Sequence, residues 1–366
     1  MFDIRVISEI MLFRVILGAF TLTFFGLLIG LIYKGIDRKI AAHMQGRVGP
    51  PLVQPFRDVR KLFNKENIVP DNAVPWLFHL APVVGVAATI ATLLYLPVLP
   101  IGGNNVLSPI LAGYGDMILI LYLLIIPSLM LVIGGFASGT PYAVVGAQRE
   151  MATMIAYEFP LAIIIIGFSW YLKDKPNPFA VTTITSNPIW SNVGVFGLIG
   201  FIILLLVLII VTPAELSKIP FDASEAETEI AGGLLVEYSG RNLAMFYLMD
   251  AVKTIVMAVI IVTLFFPYNL TGLPGLSNLS GTIPGGIIDT LFLLFKTLII
   301  VFISVILIRV AIARLKIDQI VSTYWVHLTL LGLVALILIM IDRWVIAPSP
   351  NGLGWSTVSE MIKQII

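Results

Sequence analysis

Eight stretches of this chain are almost continuously apolar, centred on residues 11–33, 75–98, 116–136, 150–172, 193–212, 242–267, 287–309 and 322–346. An α-helix needs roughly 20 such residues to cross the hydrocarbon layer of a membrane. The pattern therefore predicts an all-α integral membrane protein with about eight transmembrane helices. The stretches are joined by connections rich in Gly, Pro, Asn and Ser, such as residues 101–115 and 267–286. One connection reads differently. Over residues 52–65, Val53, Phe56, Leu62 and Phe63 stand against Arg57, Asp58, Arg60, Lys61 and Lys65, which predicts an amphipathic helix on the membrane surface after the first span. The first apolar run is longer than the hydrophobic region of a signal peptide, and Lys34 to Lys39 flank it like a stop-transfer sequence, so it reads as a spanning helix. No repeat or long linker divides the chain, and residues 1–366 are expected to form a single polytopic domain.

Composition agrees with this reading. Of 366 residues, 58% are hydrophobic and 12% charged, with a mean hydropathy of +1.01. Soluble domains run nearer a quarter charged, because their surface faces water. The net charge of +1, without a basic tail or stripe, gives no footprint for nucleic acid. With no cysteine, this chain holds no disulfide, thiolate metal site or iron–sulfur cluster. His43, His79 and His327 are far apart and read as isolated loop or helix-end residues, so no metal site is expected. Any redox metal belongs in another subunit.

Lys and Arg set the expected orientation. The connection after the first span holds Lys34, Arg38, Lys39, Arg47, Arg57, Arg60, Lys61 and Lys65. Those after the third, fifth and seventh hold Arg149, then Lys218 and Arg241, then Arg309, Arg314 and Lys316, whereas those after the second and sixth hold none. Connections 34–74 and 213–241 are thus expected on the cytoplasmic side of a plasma membrane, with both termini outside.

The most informative segment is residues 212–241, TPAELSKIPFDASEAETEIAGGLLVEYSGR. It holds Glu215, Asp222, Glu225, Glu227, Glu229 and Glu237, with Lys218 as the only base before Arg241. On a helix, Asp222, Glu225 and Glu229 would share a face. Carboxylates so close cannot all ionise, and groups that share protons suit a proton relay. Glu158 lies within the fourth apolar stretch, where a carboxylate marks a functional site by default. Pro160 breaks the backbone ladder beside it, and Glu150 lies two turns earlier with Arg149 as a possible counter-charge. Asp250 and Lys253, at i and i+3, read as a mutually neutralising pair. Lys296 has no evident partner and could pair with another helix or extend a polar axis across the bilayer.

Several motifs resemble one family. They are Asp37-Arg38-Lys39, Gln45-Gly46-Arg47-Val48-Gly49-Pro50, Gln54-Pro55, Ala156-Tyr157-Glu158, and Ile219-Pro220-Phe221-Asp222 running on through Glu225-Ala226-Glu227 to Glu237-Tyr238-Ser239-Gly240, then Arg314 to Asp318-Gln319. Spread along nearly the whole chain, they resemble the eight-helix membrane protein shared by respiratory complex I, where it is the H subunit, and the energy-converting membrane-bound [NiFe] hydrogenases. The resemblance implies a coupling role between a peripheral redox arm and ion movement, with Glu158, Glu215, Asp222, Glu225, Glu227, Glu229 and Glu237 as coupling positions. Arg47, Arg57, Arg60, Arg314 and Asp318 would serve docking or charge balance. It also implies partners: hydrogenase-like large and small subunits carrying a [NiFe] centre and [4Fe-4S] clusters, a ferredoxin-like iron–sulfur subunit and antiporter-like membrane subunits.

Quinone-reducing members usually extend the Arg-Val-Gly-Pro stretch with Asn and a second Gly-Pro pair. Here Pro51-Leu52-Val53 leads directly to Gln54-Pro55. That departure weighs against quinone binding and resembles the hydrogenase branch, with the related sulfane-sulfur reductases as an alternative. A quinone-linked member of the complex I branch and a stand-alone cation transporter are the competing readings.

Overall fold

The computed structural model describes residues 4–346 except 100–108, 112, 192 and 274–275, and at 4–14, 191 and 344–346 it describes the backbone alone. Expectations for the termini and most of the 101–115 connection fall outside these residues. Among the described residues every regular element is helical, and eight helices are long and apolar enough to cross a membrane.

In chain order, α1 (Ile4–Met44) crosses and is followed by the short α2 (Gln54–Phe63). Pro55 sits in the first turn of α2, where a missing N–H costs nothing, and Pro55 and Val59 are its buried residues. This is the amphipathic helix predicted from residues 52–65. Then come α3 (Pro75–Leu94), α4 (Met117–Ala137) and α5 (Pro141–Tyr171). Asp116 caps α4, its carboxylate accepting from Leu119 N at 2.9 Å. The short α6 (Val181–Ser186) precedes α7 (Val195–Glu215), and a single turn, α8 (Glu227–Ile230), precedes α9 (Gly240–Phe265). Two spans contain a π-helical turn. One joins α10 (Ile283–Val301) to α11 (Ile308–Ala311), the other joins α12 (Ile317–Ser322) to α13 (Thr329–Ile346).

The bundle is built around α9. Of its most apolar window 94% is buried, against 28–50% for the other spans. Helices α1, α3 and α10 pack on it, with α2 and α6 at its ends. The outer helices instead expose apolar side chains, such as Phe20 and Phe295, as a surface in lipid requires.

The connections separate by end. Leu315 N donates to Pro220 O, Ile68 N to Ser239 Oγ and Val74 N to Ala137 O, so the basic and acidic connections meet at one end of the bundle. At the other end Met117 N donates to Phe179 O, and Gly194 N to the Asp342 carboxylate.

Two readings of the sequence need correction. Helix α1 runs on to Met44, so Lys34, Asp37 and Arg38 are helical rather than part of a connection. Hydropathy ended the span at residue 33 because it treats every charge as facing lipid or water. Here Lys34 and Asp37 are buried against other helices. Secondly, Asp222, Glu225 and Glu229 do not share a helix face. Only Glu227–Ile230 is α-helical in that loop, with a 3-10 turn at Gly233–Leu235, and Ser217 and Ala231 take left-handed backbone conformations that break it up.

Candidate functional site: a charged chamber at one end of the central helix

Residues 216–239 fold back onto the bundle instead of extending away from it. Ala223, Ser224, Ala226 and Leu234 are buried, with Leu234 packed among Phe78, Ala147 and Phe246. This approach depends on Gly146 in α5, where an added Cβ would lie 2.7 Å from Leu234 N and 2.9 Å from Ser224 O.

Between that loop and the ends of α1, α7 and α9 lies a chamber of about 450 Å³. Five acids line it, Asp37, Glu215, Glu225, Glu227 and Asp250, and so do five bases, Lys34, Arg38, Lys218, Lys253 and Arg309. Asp250 is the hub, lying 2.6 Å from the Lys218 ammonium and 2.7 Å from that of Lys34. Lys34 also lies over the Tyr247 ring at 3.4 Å, a cation–π contact, while Arg38 bridges Asp58 and the Tyr247 hydroxyl. Arg309 pairs with Asp37 at 2.9 Å. At the floor, Lys253 and Glu215 form a nearly inaccessible pair at 2.8 Å. Beside them Glu150, also buried, accepts from Ser217 Oγ at 3.1 Å and Ser224 Oγ at 2.5 Å.

The loop's own ionisable groups respond to this setting. Burial pushes the Glu225 carboxyl up to about 7, and the positive charge of Lys218 only partly offsets it. Burial alone would lower the Lys218 ammonium, but Asp250 more than reverses this and holds it above its usual value. A protonatable acid thus stands among fixed ion pairs, in a space with room for on the order of ten waters. Such a chain of donors and acceptors can take up and hand on protons.

The carboxylates singled out from sequence fall into three groups. Glu215, Glu225 and Glu227 line the chamber and Glu150 borders it. Asp222 and Glu229 sit at the rim, each with its own arginine. Arg314 forks onto Asp222 and reaches Thr228 at 3.0 Å, and Arg149 pairs with Glu229. Arg149 therefore neutralises neither Glu150 nor Glu158. Glu237 is half-buried and does not line the chamber. Glu158 faces the opposite way, in an apolar groove of about 400 Å³ between α4 and α5 with Tyr122 and Phe159. Helix α5 continues through Pro160 without interruption.

Asp250 and Lys253 do not neutralise each other, since their partners come from α1, α7 and the loop after it. Lys296 lies toward the other end and donates to Phe266 O and Tyr268 O, carbonyls left unpaired where α9 ends. Arg47, Arg57, Arg60 and Asp318 are exposed at the loop end. His43, His79 and His327 remain apart, and among the described residues no cluster of three His, Asp or Glu side chains could hold a metal ion.

Sequence reasoning missed Lys34, Asp37, Arg38 and Arg309 as members of the site. A signal was present: Lys34, Asp37 and Arg38 stand at i, i+3 and i+4, the spacing of one helix face.

The comparisons with known proteins bear on this geometry. The sequence matches the NADH dehydrogenase family over residues 17–340. It is similar to the H subunit of NADH-quinone oxidoreductase from Brevibacillus brevis, 33% identical over an alignment of 333 residues, with 87% of each chain covered. In three dimensions it resembles a chain of the membrane-bound sulfane sulfur reductase, an archaeal respiratory membrane complex. That match has a TM-score of 0.74 and 28% identity, and it covers 89% of this chain and 99% of that one. The motifs from Asp37 to Gln319, the charged chamber and six of the eight spans fall within the matched region, and the first and last spans overrun it by two or three residues. The chain belongs to the NADH dehydrogenase family, the H-type membrane subunits of complex I-like respiratory complexes.

Proposed function

We propose that this chain is the membrane anchor and ion-translocation coupling subunit of a multisubunit complex, linking ferredoxin-driven proton or sulfur reduction in a peripheral arm to proton or sodium movement in the membrane. The observation that carries the proposal is the chamber. Ten ionisable side chains, five of each sign, surround a space that a redox partner would roof and that reaches the buried Glu215–Lys253 pair. A change of charge at the roof would shift the proton on Glu225 and re-weight the ion pairs of Asp250 and Glu215, because charges that share one chamber interact.

The exposed Arg47, Arg57 and Arg60, with the Arg314–Asp222 rim, form the docking face in this reading, on the cytoplasmic side. The [NiFe] centre and [4Fe-4S] clusters belong to the partners. The short link from Pro51 to Gln54, together with the likeness to the sulfane sulfur reductase chain, favours the hydrogenase and sulfur-reductase branch over a quinone-linked one.

Two measurements test this. Mass spectrometry of the complex purified in mild detergent should find hydrogenase-like large and small subunits, a ferredoxin-like subunit and antiporter-like subunits. A chain that purifies alone and still transports cations would return the reading to a transporter. In proteoliposomes, Asp250→Asn should lower ions moved per electron at least ten-fold, whereas a wild-type ratio would remove the coupling role.

A further inference from the structure

In the chamber, Lys34, Arg38, Lys218, Lys253 and Arg309 each have a carboxylate at 2.6–2.9 Å. Lys296, half-buried in α10 toward the other end of the bundle, has none among the described residues. Its ammonium donates to Phe266 O at 2.9 Å and Tyr268 O at 2.8 Å, and lies 4.8 Å from the centre of the Phe292 ring. Carbonyls and a ring face stabilise a cation without neutralising it. The third proton of the ammonium finds no acceptor among the described residues. Asp289, the acid of α10, is already engaged by Thr271, accepting from its N–H at 3.0 Å and its hydroxyl at 2.6 Å.

Lys296 lines a recess of about 210 Å³ where α3 and α9 end, bordered by α6 and α10. Apolar Pro97, Val262 and Leu293 form part of its wall, and Thr263 and Asn269 add polar groups. Thr263 is 2% exposed, and its Oγ1 lacks a hydrogen-bond partner. Asn269 is half-buried, with a side-chain amide that no described residue engages. Thr185 and Ser186 also line the recess, but their hydroxyls already donate to Thr182 O and Thr183 O, each at 3.1 Å. The recess thus gathers one cation and spare polar groups with, among the described residues, no acid. An uncompensated ammonium and an orphaned buried hydroxyl both call for a polar partner.

The level of the recess selects that partner. Spans end where hydrocarbon gives way to headgroups, and two of them end here. Ile299, one turn from Lys296, is 42% exposed on α10 beside the exposed Phe295, so the recess adjoins lipid. Phosphate is the anion a bilayer carries at that depth, and a lysine binds it as a point charge.

We propose that this recess is a phosphate site on the face opposite the chamber, with Lys296 supplying the charge and the Asn269 amide donating to a phosphate oxygen. The phosphate belongs to a phospholipid headgroup or comes from solution. The site is independent of the coupling role.

Native mass spectrometry of the intact complex in mild detergent tests the site, with phosphatidylglycerol and inorganic phosphate as separate probes. Asn269→Asp brings a carboxylate to the recess while keeping the contacts of Lys296 to the end of α9, and should weaken binding at least ten-fold. The wild-type complex should therefore retain one more phosphatidylglycerol, or one more phosphate, than the variant. A deficit of phosphatidylglycerol shows that a lipid headgroup fills the site, and a deficit of inorganic phosphate alone shows that the free anion does. Equal retention of both probes overturns the proposal. If Asn269→Asp impairs assembly, Asn269→Leu decides: weaker binding than wild type supports the site, and equal binding overturns it.

Discussion

At the floor of the chamber, Glu215 and Lys253 form an ion pair whose side chains are 2% and 4% exposed, whereas the Arg149–Glu229 pair at the rim is 22% and 41% exposed. The chemistry is the same, yet the two pairs do different things. The rim pair exchanges water contacts for protein contacts at little gain, as surface pairs do. The floor pair has no water to return to, so each charge exists only because the other does. Glu225 stands between these cases, half-buried near a Lys218 that is already committed to Asp250. Proton exchange needs such an intermediate group, because a strongly paired acid stays ionised and an exposed one follows the bulk pH.

The largest effect is expected at the floor. Lys253→Met leaves Glu215 uncompensated and should destabilise the protein by about 3–5 kcal/mol. Thermal unfolding of the detergent-purified complex would register this as a large fall in midpoint. Lys253→Met combined with Glu215→Leu should recover most of it. If the double variant is no better than the single one, packing rather than charge governs the floor.

A smaller effect is expected from Glu225. Its carboxyl is raised from an ordinary 4.5 to about 7, so between those values the folded state binds more protons than the unfolded chain. The contribution of this group to stability therefore falls as pH rises through that window. Glu225→Gln should flatten that part of the stability–pH curve and remove a titration near neutral pH from coupled turnover. An unchanged pH profile would place Glu225 outside the exchange.

The smallest effect belongs to the rim. Glu229→Gln breaks a half-exposed pair and should change stability by about 1 kcal/mol or less. Its coupled activity should stay within two-fold of wild type. A loss as large as that of Asp250→Asn would move the exchange site from the chamber to the rim. From sequence alone Glu229 ranked equally with Glu158 and Asp222. The structure separates them because the loop breaks at Ser217 and Ala231 instead of forming one long helix.

The spans and the surface helix α2 were legible because lipid imposes a simple rule: a lipid-facing residue must be apolar, and a crossing helix must be long. The acidic loop was legible as a concentration of carboxylates. Its internal arrangement was not, since its shape comes from packing Leu234 and Ser224 against α5 and not from local propensity.

By itself, the sequence determined the membrane class, the number of crossings, the gathering of charge in alternate connections and the family motifs. Tertiary structure alone decided which charges meet. Lys34 finds Asp250 and Asp37 finds Arg309 across most of the chain's length, while Asp250 and Lys253, three residues apart, turn to different partners. The physical reason is that hydropathy is a property of each residue against its solvent, and lipid enforces it locally. A buried charge is stabilised by whatever opposite charge the fold brings within about 3 Å, and no local pattern records that.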